Sequence, residues 1–178
     1  MLLYTVEKKS RILLLGGAPG VGKTTKANKI NCQVENSYHL DTDFMRDFLG
    51  GYLSGFNSFV ESTQEEYIAQ CELVAPLIIH SAKIRTAWNN ENPIIVPSSL
   101  LIPGMELDND DEDYLIKQIL LTLPPDELER RLRHRSMTTD KQQYIRGNLD
   151  EYVEKSLAWQ QYLIKEARKH NVPVVRNI

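Results

Sequence analysis

At 178 residues the chain is long enough for one well-buried core and short for two, so a single domain over 1–178 is expected. Charged residues at 25% and hydrophobic ones at 42% are ordinary for a soluble globular protein, and a formal charge of -3 argues against a general nucleic-acid surface. No apolar run approaches the ~18 residues of a membrane span, and the opening MLLYTVEKKSR lacks the order of a secretory signal. Cys32 and Cys71 have no metal-type spacing and need not pair, so a reducing cytoplasm is the expected home.

In chain order, residues 11–15 read as a first strand, apolar enough to be covered on both faces. Gly17–Thr24, GAPGVGKT, follows it directly and fits G-x-x-x-x-G-K-[ST]. The helix launched at Lys23 is expected to be brief, giving way around Asn31. Tyr38–Leu40 reads as a second strand ending at Asp41-Thr42-Asp43, and Phe44–Leu53 as a helix broken at Gly50-Gly51. A long helical pattern runs from Glu65 to about Trp88, where Pro76 is expected to kink it or divide it in two.

Ile94–Val96 is a third buried strand, followed by the loop SSLLIPGMEL and the acidic run Asp108–Asp113, read as a solvated loop. Tyr114–Leu123 is a fourth strand. Pro124-Pro125 then opens a helix whose first-turn acids, Asp126 and Glu127, suit the positive end of its dipole. After the polar stretch Ser136–Asp140, an amphipathic helix runs to about His170, and Val172–Val175 is a last strand. Trp88 and Trp159 are expected in the core or at its rim.

Strands alternating with helices predict a three-layer α/β/α sandwich around a parallel sheet of about five strands. Ligands in such sheets collect at the carboxyl ends of the strands. That rule makes Gly17–Thr24, Asp41–Arg46, Ser98–Leu101 and Asn177 neighbours.

The glycine-rich turn predicts a nucleoside triphosphate site. Backbone amides of Gly17, Ala18, Gly20, Val21, Gly22, Lys23, Thr24 and Thr25 would curl around phosphate oxygens. Lys23 adds a mobile positive charge, and Thr24 offers a hydroxyl to magnesium, with Asp41 near the metal. Phosphoryl transfer also needs an aligned acceptor and cations on the migrating charge. Asp43 is the expected base or acceptor-orienting group, and Arg46, about one helical turn on, could hold a phosphate or carboxylate of the acceptor. Arg131 and Arg135 share a helix face at the start of a lid expected around 131–142, where they would reach the terminal phosphates. Asn177 is expected on the nucleotide side. No Asn-Lys-x-Asp guanine signature appears, and the third strand lacks the Asp-Glu pair of motor-type ATPases.

The chain resembles the small P-loop kinases, and within them the 2-phosphoglycerate kinase-like family. The resemblance rests on GGAPGVGKTT at Gly16–Thr25, LDTDFMRDFL at Leu40–Leu49, LLIPG at Leu100–Gly104 and the C-terminal YIRGNLDEYVEKSLAWQQYLIKEARKHNVPVV. It implies a P-loop NTPase fold of the nucleoside and shikimate kinase type. It also implies an ATP- and Mg2+-dependent kinase of a small acidic or phosphorylated metabolite, with Lys23, Thr24, Asp43, Arg46 and a lid arginine in the roles above. Pro97-Ser98 stands where such kinases usually carry Glu-Gly. The expected partner is a small-molecule acceptor, with no membrane, and the expected state is a monomer or homodimer. Two other readings fit the same residues: a kinase of a nucleic-acid end or nucleotide sugar, and a regulatory module that binds ATP without turnover.

Overall fold

The aliphatic run after Arg11 becomes the middle strand of a parallel sheet. The computed structural model describes residues 10–40, 42, 45, 58–88, 92–105, 114–137 and 148–177. In it, β1 (Ser10–Gly16) pairs with β3 (Ile94–Pro97) on one side and β4 (Tyr114–Thr122) on the other. A short β2 (Tyr38–His39) lies outside β3, and β5 (Val174–Arg176) outside β4, giving the order β2-β3-β1-β4-β5. All four pairings are parallel, as the alternation of strands and helices predicts.

β1 lacks a polar face because both its sides are covered. Ile12 and Leu14 join the main core with α2 (Gln64–Trp88) and α4 (Leu149–Lys169), whereas Leu13 and Leu15 face Ala27 and Ile30 of α1 (Lys23–Gln33). Full burial of each such Leu or Ile stabilises the fold by about 1.5–3 kcal/mol. This is the expected three-layer sandwich. α3 (Pro125–Met137) starts where Pro124-Pro125 predicts, with Leu128 N donating to Pro124 O at 2.9 Å.

Several boundaries differ from the sequence reading. α1 runs on past Asn31 to Gln33. α2 is one continuous helix through Pro76, not two. The carbonyl that Pro76 deprives of a partner belongs to Glu72, one turn back, and both residues are exposed, where such a loss costs least. α4 begins at Leu149, because Asn148 is extended and its side chain accepts from Asp150 N at 2.9 Å. β5 starts at Val174 rather than Val172. Trp159 is buried, stacked on Tyr162 and edge-on to Tyr67, but Trp88 is 78% exposed. The helix expected over Phe44–Leu53 and the acidic run at Asp108–Asp113 fall almost wholly or wholly outside the described residues.

Two buried amides fix the loops at the carboxyl ends of β3 and β4. Gln160 both accepts from Leu123 N and donates to Leu123 O, each at 3.0 Å. Gln118 donates to Ile102 O at 3.1 Å and accepts from Gly104 N at 3.3 Å. Replacing either with an apolar residue would leave backbone groups unsatisfied. Among the described residues, no helix is long and apolar enough to cross a membrane.

Candidate active site

The glycine-rich turn leaves β1 at Gly16 and enters α1 at Lys23, where the connection from β1 runs toward the β2 edge of the sheet and that from its neighbour β4 runs toward the β5 edge. Gly22 caps α1 from the left-handed region, with φ 87° and ψ 28°, and the first turn closes through Lys26 N to Gly22 O at 2.9 Å. No side chain caps this helix, and its first turn carries no acid. By contrast α2, α3 and α4 open with Glu65-Glu66, Asp126-Glu127 and Asp150-Glu151. The positive end of α1 is therefore left for an anion that neither its cap nor its first turn supplies.

The underside of the turn rests on α3. A Cβ built on Gly20 would lie 2.6 Å from Leu132 Cδ2 and 3.2 Å from Leu128 Cδ1, so glycine is the residue that lets the loop sit this low. Ala18 and Val21 are fully buried. Lys23 arcs back over the turn, its Nζ donating to Gly17 O at 2.9 Å and Ala18 O at 3.0 Å. Thr24 and Thr25 are exposed on the first turn of α1.

Two side chains from distant parts of the chain meet this turn. Asn177 Nδ2 donates to Val21 O at 2.7 Å, while its own N–H bonds to Thr122 O at 2.9 Å. Arg131 comes from α3, its Nη1 3.6 Å from where a Cβ on Gly22 would stand. Glu127 holds that guanidinium at 2.6 Å and Arg130 at 2.8 Å. Hydrogen bonds from Arg130 and Arg131 pull the Glu127 carboxyl down to about 2. Arg133 turns the other way, to Glu129 and to Asp150 of α4, both within 2.8 Å. Arg135 is exposed, one turn beyond Arg131.

The fold thus gathers Gly17–Thr25, Arg131 and Asn177 at one opening. Asp41, Asp43 and Arg46, and residues 138–142 of the expected lid, lie outside the described residues. Thr42, between the two acids, is buried and donates to Pro97 O at 3.1 Å, tying that segment to the end of β3. Ser98 N bonds to Leu15 O at 3.1 Å, and Leu101 O would lie 2.9 Å from a Cβ on Gly16, so the loop after β3 borders the same opening.

The sequence reading missed Glu127 as the counter-ion of Arg131, although its spacing four residues earlier on one helix carries that signal. Leu128 and Leu132, the floor of the turn, gave no signal beyond an ordinary apolar helix face. The turn fits a polyphosphate by its capless helix end and its lysine. For magnesium, the described residues offer the exposed Thr24 hydroxyl and no group of three or more acidic, His or Cys side chains. That suits an ion that keeps most of its water and takes oxygens from phosphate.

Comparison with known proteins agrees with this geometry. The AAA domain family model (AAA_18) matches residues 13–155. The 2-phosphoglycerate kinases of Pyrococcus furiosus and Pyrococcus horikoshii are 27% and 26% identical over 184 aligned residues, covering 94% of this chain. The chain spans 59% of the length of each. Among solved structures, a chain of the Pnkp1/Rnl/Hen1 RNA repair complex superposes with a TM-score of 0.56 at 20% identity, covering 93% of this chain and 49% of that one. Shikimate kinase from Bacteroides thetaiotaomicron gives 0.52 at 17% identity, covering 94% and 86%. The fold is that of an α/β P-loop NTPase.

Proposed function

The chain belongs to the AAA domain family, and from that premise we propose that it is an ATP- and Mg2+-dependent kinase acting on a hydroxyl of a small acidic or phosphorylated metabolite. The observation that carries the reading is the capless amino end of α1, with Lys23 folded over the turn and Arg131 beside Gly22. When bound, ATP supplies the phosphoryl group and magnesium spreads its negative charge.

The chain's own groups bind, align and keep water away. Amides of Gly17–Thr25 take the phosphate oxygens and Lys23 exchanges its carbonyl partners for the terminal phosphates. The Thr24 hydroxyl and Asp41 would hold the metal, and Asn177 would shape the nucleotide side. Arg131 and Arg135 face the migrating charge from α3, where a guanidinium stabilises what develops in the transition state. Asp43 orients the acceptor hydroxyl, and Arg46 grips an anionic group on the acceptor with its planar fork. The name of the Pyrococcus relatives makes 2-phosphoglycerate, or a hydroxy acid of similar charge, the first acceptor to try. β3 ends in Val96-Pro97 and is followed by Ser98, without an acidic pair, which favours a kinase over a motor-type ATPase.

The test is ADP release measured over a panel of phosphorylated sugars and hydroxy acids, with 2-phosphoglycerate included. We expect acceptor-dependent turnover. Asp43→Asn should lower kcat by roughly 100- to 10,000-fold, and Arg46→Ala should raise the acceptor KM by about tenfold or more. ATP binding without acceptor-dependent ADP release would instead make the chain a nucleotide-binding module.

A further inference from the structure

We propose that Thr42 is a positioning residue for phosphoryl transfer: its hydroxyl makes the last rung of the ladder between β2 and β3 and so fixes where the chain around Asp43 leaves the sheet. The inference rests on the kinase reading above and adds to it a residue with no direct part in the chemistry. Thr42 is 2% exposed, so it acts only through what it holds in place. The ladder shows how. Tyr38 N donates to Pro93 O at 2.9 Å, and two residues on in each strand Leu40 N donates to Ile95 O at 3.0 Å. The next rung in that series belongs to Thr42 and Pro97, and there the donor is a side chain, Thr42 Oγ1 to Pro97 O at 3.1 Å.

Both partners contribute to ending the strand pair at this level. Proline has no N–H to return to β2, so regular pairing stops at Pro97. A threonine hydroxyl takes over the rung without requiring its backbone to stay extended. The chain turns at once, Met45 N donating to Thr42 O at 3.1 Å. Thr42 and all of β3 are buried, so removing the hydroxyl would leave Pro97 O without that donor and away from solvent. Consecutive α-carbons stand about 3.8 Å apart, so a bond that pins Thr42 also pins the backbone on either side of it, where Asp41 and Asp43 follow in sequence. The tip of β3 is held from its other side as well, by Ser98 N to Leu15 O at 3.1 Å, one residue before the phosphate-binding turn leaves β1. Thr42 thereby sets the acid that orients the acceptor in register with the turn that holds the phosphates. A misplacement of about 1 Å between such groups costs roughly 100-fold in rate.

Steady-state ADP release with the fastest acceptor of the panel tests this, in the wild type, Thr42→Val and Thr42→Ser. Valine keeps the shape and removes the donor, so kcat should fall by about 10- to 100-fold. Serine keeps the donor and should stay within about threefold of wild type. Binding of ATP without magnesium, which draws on Lys23 and the turn, should change by less than about twofold in both, as titration calorimetry would show. In an Asp43→Asn background Thr42→Val should slow the reaction by less than about twofold more, because its effect passes through that acid. If valine disturbs folding, Thr42→Ala carries the same readout. A Thr42→Val enzyme as fast as wild type, a Thr42→Ser enzyme as slow as Thr42→Val, or the same fold loss with and without Asp43 would overturn the proposal and leave the kinase reading standing. A wild type with no acceptor-dependent ADP release would overturn both.

Discussion

Asn177 donates its side-chain amide to the carbonyl of Val21 at 2.7 Å, joining the residue after β5 to the phosphate-binding turn after β1. Its own backbone is bonded to Thr122, so the end of the sheet acts as a fixed post for the turn. Removing this bond with Asn177→Ala should cost about 1 kcal/mol of stability and weaken ATP binding several-fold. Asn177→Asp should be worse, because a carboxylate cannot donate to Val21 O and adds negative charge next to the phosphates. Thermal melts and isothermal titration of the two variants check both effects.

Glu127 governs how Arg131 is presented. Its folded value, about 2, lies below the ordinary 4.5, so the pairing supports the fold fully above about 4.5 and fades as pH falls through about 2. Stability attributable to this contact should therefore be flat between pH 5 and 8. Glu127→Gln removes an anion that competes with phosphate for Arg131 and also frees the guanidinium to wander. We expect tighter ATP binding with a several-fold lower kcat, read by titration calorimetry against steady-state rates.

Gly20 has φ 84°, and a methyl group there would meet Leu132 Cδ2. Gly20→Ala should destabilise by about 1–3 kcal/mol through backbone strain and the clash together. Leu132→Ala alone should cost about 2–5 kcal/mol as a core truncation. The double variant should lose less than the sum, because the cavity accepts the new methyl group. Urea denaturation of the four-member cycle measures the coupling.

Cys71 is fully buried, and burial pushes its thiol far above the range where a thiolate forms. Cys32 is exposed on α1. Iodoacetamide at mildly alkaline pH should add one label to the native protein, on Cys32, and a second only in denaturant. Intact-protein mass spectrometry distinguishes the two.

What the sequence disclosed followed the range of the interactions involved. β1 and the turn after it are local patterns: an aliphatic run, glycines at fixed spacing, then Lys23. The parallel sheet follows from the alternation of such patterns. Pro76 does not divide α2 in two, because it lies with Glu72 on an exposed part of the helix, where the cost of a missing backbone bond is lowest. Trp88 misled because aromatic residues are read as core by default, whereas this one is the last residue of α2 and is 78% exposed. Gln160 clasping Leu123 and Asn177 clasping Val21 join positions 37 and 156 residues apart, and no local spacing announces such pairs.

The central claim is that Lys23 and the amides around it hold a triphosphate tail. Isothermal titration of ATP with magnesium into wild type and Lys23→Ala addresses it most directly. We expect saturable binding by wild type and a loss of about 100-fold or more in the variant, since a charge-assisted contact to phosphate is removed from an otherwise intact turn. Absence of binding in wild type, or equal binding by the two proteins, would contradict it.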